Sequence, residues 1–208
     1  MSPGYDVALV EAATLGTGDL DRVRAIFEEA FPEDLQVPFA DLFRDRMLVL
    51  VDDGGPVGLA LVRDLAGADG DTGWTFLRYY AVGRKGAGLG SLMWRALTAR
   101  LAEEARTRLV WDVEDPDEPG LSPEHVVEHR RRIVFYERLG GRLLPVLGYR
   151  PPHDDGHAPH LRLMDQPLAP DVVDPPLRDL VEGVYRLRYG LGTDHPAVIR
   201  TISASRLG

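Results

Sequence analysis

Apolar residues in this chain recur with two periods, and the period changes at turn-forming residues. Leu20, Val23, Phe27 and Ala30 fall on one face of a helix over Thr17–Phe31, which Pro32 ends. Two short apolar runs, Met47–Asp52 and Val57–Arg63, flank Asp53-Gly54-Gly55-Pro56 and predict a β-hairpin. Tyr5–Val10 predicts a first strand, and Phe39–Arg44 a short helix. Trp74–Val82 is aromatic and β-branched with no breaker, as in a strand buried on both faces. Leu89, Leu92, Met93, Ala96, Leu97 and Leu101 then give a helical stripe over 89–105. A strand over 108–114, a helix over 125–139 and two late strands complete the pattern. Hairpin strands come first here, whereas a doubly wound domain repeats strand–helix units from its start. The expected fold is therefore α/β around a mixed sheet.

After Leu168 the run Ala-Pro-Asp-Val-Val-Asp-Pro-Pro reads as a linker. Asp174 followed by Pro175 predicts an N-cap and first turn. Leu177, Leu180, Val181, Val184 and Leu187 then share an apolar face before Gly190. The expected organisation is a main domain over 1–168 and an extension over 169–208, made of linker, amphipathic helix and tail. The helix's apolar face needs cover, from its own domain or from a second copy of the chain in a homodimer.

Composition narrows the function. The 208 residues suit one domain with an appendage, and 44% hydrophobic content can supply its core. There is no cysteine, which excludes disulfides, cysteine metal sites and a cysteine acyl-enzyme. A formal net charge of −9 with no basic stripe argues against a nucleic-acid partner. No apolar run reaches the roughly 20 residues of a membrane span, and no basic-then-apolar segment opens the chain. A cytoplasmic protein without a membrane partner is expected.

Lys85 is the only lysine, and it lies between the predicted strand and helix with Gly83, Gly86, Gly88 and Gly90. Glycines let the backbone turn and approach a ligand closely. A helix start adds unpaired amides and partial positive charge, so the arrangement suits a pyrophosphate. Arg84 and Lys85 bring two cations. A Walker P-loop would need Gly-Lys-Ser/Thr at its end, which is missing. A dinucleotide fingerprint fits Gly86 and Gly88 but meets Ser91 at its third position, with Asp112 or Glu114 as the later acid. The third type, Arg/Gln-x-x-Gly-x-Gly/Ala, is met by Lys85-Gly-Ala-Gly88-Leu-Gly90 with Lys in first place.

That loop resembles the pyrophosphate loop of the GNAT superfamily of acyl-CoA-dependent N-acetyltransferases. A second block, Phe135-Tyr-Glu-Arg-Leu-Gly-Gly141, is similar to the family's Phe-Tyr-x-x-Leu-Gly-Phe segment, and lies about 45 residues further on. The resemblance covers roughly residues 5 to 168. It implies a mixed, centrally splayed β-sheet flanked by helices, to which this chain adds a C-terminal helical extension. It also implies acetyl-CoA as the acyl donor, with Ala81, Val82, Arg84, Lys85, Gly86, Ala87, Gly88, Leu89, Gly90 and Ser91 along its path. Tyr136 matches the family tyrosine that protonates the departing sulfur. The family often has Asn seven residues earlier; here His129 stands there, either contacting CoA or facing solvent.

The acceptor side is less legible. Glu114, at the end of its strand, is the candidate base, and Asp112, Asp115, Asp117 and Glu118 around it would suit a cationic acceptor. Arg132 is a candidate neighbour of bound phosphate, while Arg130, Arg131 and Arg138 read as a solvated face. His125 and His129 are i, i+4 on a helix but lack the Glu of a His-Glu-x-x-His motif, and nothing fixes the geometry of His153, His157 and His160 in their loop, so no metal is expected. The loop carrying the last three is instead a candidate substrate contact. The expected reaction moves an acetyl group from acetyl-CoA to a primary amine by direct attack. Small amines, antibiotics, amino acids and protein N-termini all remain open as acceptors. A non-catalytic acyl-CoA-binding module and a nucleotide-dependent oxidoreductase are the alternatives.

Overall fold

In the computed structural model, which describes residues 7–33, 36–68, 70–84, 86, 88–152 and 158–208, the strands and helices follow the hydrophobic pattern closely. Among the described residues seven strands form one sheet: β1 (Ala8–Glu11), β2 (Arg46–Asp52), β3 (Gly55–Gly67), β4 (Gly70–Val82), β5 (Arg108–Glu114), β6 (Arg142–Leu143) and β7 (Leu161–Pro167). Their order is β1-β2-β3-β4-β5-β7-β6. β1–β2, β2–β3, β5–β7 and β6–β7 are all antiparallel. Among the described residues the α-helices are α1 (Thr17–Ala30), α2 (Leu89–Glu103), α3 (Pro123–Glu137), α4 (Leu177–Tyr189) and α5 (Pro196–Ala204). Phe39–Arg44 is a 3-10 helix. The α/β fold with a mixed sheet expected from the residues, and the central splay that the resemblance implies, are the fold observed. Its run of antiparallel strands removes the doubly wound dinucleotide-binding alternative.

The chain packs as two units, Met1–Arg63 with Leu77–Glu104, and Asp64–Phe76 with Ala105–Gly208. In the first, α1 buries Val23 and Phe27 against Leu42, Met47, Val49, Leu59, Leu61 and Ala81. Phe27 and Phe31 both meet the edge of the Tyr79 ring, with centroids 5.1 and 4.9 Å away. α2 buries Leu89, Met93, Trp94, Leu97 and Leu101; the apolar stripe located all of these except Trp94.

In the second unit, α4 is an integral part of the core. Leu180, Val181, Val184 and Tyr185 pack with Leu65, Phe76, Val110, Tyr149 and Leu163. α5, expected only as tail, adds Ala197 and Val198 to the same core. Its start is a His195-Pro196 cap, with the His195 ring accepting from the Ala197 amide at 3.2 Å.

Three local expectations change. α3 begins two residues early because Ser122 caps it, accepting from His125 N at 3.3 Å, with Pro123 in the first turn. Asp174 does not cap α4, whose N-cap is Pro176. Instead Asp174 accepts from Arg108 Nη2 at 2.6 Å and from Arg142 at 2.9 Å. Arg108 and its other partner Asp165 are almost fully buried, so this network neutralises a charge that would otherwise be costly there. Finally, β3 and β4 extend well past their predicted ends, through a Gly- and Asp-rich stretch. Arg106 holds that stretch, donating to Asp71 at 2.5 and 2.9 Å and to the Trp74 carbonyl at 2.6 Å. Tyr5 lies outside the described residues, so the first strand is seen only from Ala8.

Candidate functional site

The glycine turn in the first unit has the geometry its composition predicts. Gly88, at φ 75° and ψ 0°, is the N-cap of α2 and has no side chain to cap it. Gly86 is also left-handed, at φ 84°. Residues with a Cβ rarely adopt this backbone, which is why glycine occupies both positions. The first amides of α2 therefore lack a capping side chain, and Gly86 and Gly88 are both exposed. Tyr80 fixes the helix start: its hydroxyl donates to the Gly90 carbonyl at 2.5 Å, and its ring meets Trp94 edge-on at 5.5 Å. The strand before the turn ends with Ala81 buried and Val82 half-buried, and the Gly83 amide donates to Val57 O at 2.9 Å. Leu89 is buried, while Gly90 and Ser91 are half-buried. Arg84 is exposed and pairs with Asp52 at 3.0 Å. Lys85 and Ala87 lie outside the described residues.

In the second unit, α3 delivers Tyr136 to β5. The phenol ring is buried and tilts against Trp111, with centroids 5.1 Å apart. Gly141, where the family segment has Phe, explains this packing. A Cβ there would lie 2.9 Å from two Trp111 ring atoms and 3.0 Å from the Tyr136 carbonyl. The indole fills the space a side chain would need. Burial raises the Tyr136 phenol above its ordinary pKa; Arg132 pulls it down, while Glu114 and Asp112 push it up.

Glu114 does not stand open. Arg132 holds it in an ion pair and also reaches Glu128 at 3.4 Å. Burial would raise the Glu114 carboxyl, but the charge and hydrogen bond of Arg132 outweigh this and leave it below its usual range. Arg132 is thus committed to carboxylates. Arg130 is exposed and lies 3.5 Å from Asp117, and Arg131 and Arg138 are exposed as well. His129 is half-buried, with Nδ1 3.4 Å from the Asp115 carbonyl and its ring stacked on His125. Among the described residues no three His, Cys, Asp or Glu side chains group to hold a metal. His153 and His157 lie outside the described residues, and His160 is 3.1 Å from Arg150 Nη2.

Asp112 is the residue whose setting sequence alone did not reveal. It accepts from Tyr189 OH at 3.1 Å and from Tyr149 OH at 3.3 Å, both on Oδ2. Burial raises its carboxyl above the ordinary range; Tyr189, Arg188 and Tyr149 pull it back in part, and Glu114 pushes it up. Its partners are 37 and 77 residues away, so no local pattern could have found them.

Residues 20–122 match the family described as the Acetyltransferase (GNAT) family. Over those residues the chain matches that family, and its fold is the GNAT acetyltransferase fold. Solved structures with the GNAT fold cover most of its length. A protein assigned to the GNAT acetyltransferases of Bacteroides thetaiotaomicron is 18% identical, with a TM-score of 0.64, covering 88% of this chain and 99% of that one. The ribosomal-protein-S18-alanine N-acetyltransferase of Escherichia coli is 18% identical at TM-score 0.50, covering 81% and 99%. An aminoglycoside 6'-N-acetyltransferase complexed with coenzyme A is 16% identical at TM-score 0.55, covering 80% and 99%. At such identities these likenesses concern the GNAT fold. No curated protein matches the chain. The matched family span ends at residue 122, before α3, so Tyr136 rests on its own motif and geometry. No described helix is long and apolar enough to cross a membrane.

Proposed function

We propose that this protein is an N-acetyltransferase that moves the acetyl group of acetyl-CoA to a primary amine by direct attack in a ternary complex. The observation that carries the reading is the left-handed Gly88 at the uncapped start of α2, built as a pyrophosphate cradle. That a GNAT-fold relative was solved with coenzyme A supports the choice of donor. Acetyl-CoA supplies an activated thioester. The chain's part is to hold its phosphates with the amides of the turn and of α2, and to manage two protons.

The neutral amine attacks the thioester carbonyl carbon, forming the N–C bond, and the C–S bond breaks. Tyr136, kept protonated by burial, donates its hydroxyl proton to the departing sulfur. A phenolate is a stronger base than a thiolate, so this transfer runs forward only if the nitrogen's surplus proton quickly restores the phenol. The acceptor class is a small-molecule or peptide amine, and the proposed compartment is the cytoplasm, without nucleic-acid or membrane partners.

The test is thermal melting with acetyl-CoA, followed by thiol release with a panel of primary amines. At about 100 times its dissociation constant, acetyl-CoA should stabilise the fold by roughly 2.7 kcal/mol. Gly88→Asp should abolish most of that gain through backbone strain and added negative charge. Stabilisation by a nicotinamide dinucleotide but not by acetyl-CoA would overturn the proposal. Stabilisation without thiol release from any amine would leave a binding module in place of an enzyme.

A further inference from the structure

Two features set Asp112 apart from the other carboxylates of the second unit, and a third, shared with Glu114, ties it to Tyr136. Tyr149 and Tyr189 both donate to one oxygen, Oδ2, and their hydroxyls lie 3.3 Å from each other. The second oxygen, Oδ1, accepts no hydrogen bond among the described residues, and the residue as a whole is half-buried. Its charge is felt by the Tyr136 phenol, so both groups share one electrostatic neighbourhood. Glu114 has none of this freedom, because Arg132 occupies it.

The C-terminal helix builds this arrangement. Tyr189 lies in the last turn of α4, its ring 6.3 Å from Phe76 and 6.2 Å from Tyr185. Beside it, Arg188 stacks over the Phe76 and Tyr189 rings at 5.6 and 5.0 Å, and its Nε has no hydrogen-bond partner. Tyr185 is fixed in turn by Thr201 of α5, at 2.8 Å. A rigid aromatic wall thus aims one carboxylate oxygen away from its two phenols. Such pre-positioning is what a proton acceptor needs.

We infer that Asp112 receives the acceptor's amine on Oδ1 and takes its proton, with Tyr189 of α4 as the residue that positions it. This rests on the acetyltransferase reading above. One proton passes from the ammonium to Asp112, leaving a neutral nitrogen with its lone pair free to attack the thioester carbon. Asp112 later releases that proton to solvent. The groups facing it are Tyr149, Tyr189, Arg188 and Glu114. Tyr189, Arg188 and Tyr149 favour its charged form, whereas burial and Glu114 oppose it. The extension that sets this chain apart from the family pattern is therefore part of its catalytic apparatus.

The experiment compares the intact protein with Asp112→Asn and Tyr189→Phe, using acetyl-CoA with an ammonium-forming amine and with hydroxylamine, which is neutral in the assay. Asp112→Asn should lower kcat/KM for the ammonium acceptor by about 10²–10⁴-fold and spare hydroxylamine. Tyr189→Phe keeps the ring but removes one hydrogen bond to the carboxylate. The acid limb of its kcat/KM profile should move up by roughly one pH unit. An Asp112→Asn loss below threefold, an equal loss with hydroxylamine, or an unmoved acid limb in Tyr189→Phe overturns the inference while leaving the enzyme. Failure of the unmodified protein to release thiol with any amine overturns the acetyltransferase reading, and this inference with it.

Discussion

Gly141→Ala tests the packing that holds Tyr136 in place. The added methyl would lie 2.9 Å from Trp111 Cη2 and Cζ2 and 3.0 Å from the Tyr136 carbonyl oxygen. Neither neighbour can yield cheaply. Trp111 is 1% exposed, and the carbonyl already accepts from Leu139 N at 3.0 Å and Gly141 N at 2.9 Å. Overpacking of this kind costs about 1–3 kcal/mol. In a chain of this size that lowers the melting temperature by about 2–12 °C. The strain falls on the Trp111–Tyr136 ring pair, so kcat should drop, by up to about 10²-fold for a shift near 1 Å, with little change in acetyl-CoA affinity. Gly18→Ala is the paired control. It lies within α1, nothing is within 4 Å of the place its methyl would take, and alanine there should stabilise by roughly 0.5–1 kcal/mol. Equal melting temperatures for Gly141→Ala and the unmodified protein would refute the close approach. A destabilised variant with unchanged kcat would refute the link to Tyr136.

Tyr136→Phe should keep the fold and cut the rate by about 10²–10⁴-fold while cofactor affinity changes much less. A near-normal rate with chemistry limiting would reduce Tyr136 to a packing residue. Glu104 should make stability depend on acid. Its hydrogen bonds from Arg46, reinforced by Arg100, lower its carboxyl from 4.5 to about 2. A depressed folded value means the stabilisation is complete above 4.5 and is lost as pH falls toward about 2. Since the Glu104 side chain is 27% exposed, screening leaves about 1–2 kcal/mol. Chemical denaturation of Glu104→Gln against pH should show this acid-dependent loss removed; an unchanged profile would refute the assignment.

Local sequence carried the elements whose signals are complete in a short window. The strand over 108–114, the stripe of α2, the glycine turn and the Gly190 stop of α4 are of this kind. Their residues interact with near neighbours, or with any apolar surface, so periodicity and turn chemistry suffice. The Asp- and Gly-rich start of β4 resembles loop by composition, and becomes strand where Arg106 reaches it from 31 to 35 residues away. Asp174 followed by Pro175 has the form of a helix cap, yet Arg108 and Arg142 compete for its carboxylate and win through charge. Glu114 and Asp112 look alike two positions apart on β5. Only folding brings Arg132 to one and two phenols to the other, because a carboxylate's reactivity depends on neighbours that the chain delivers from far along its length.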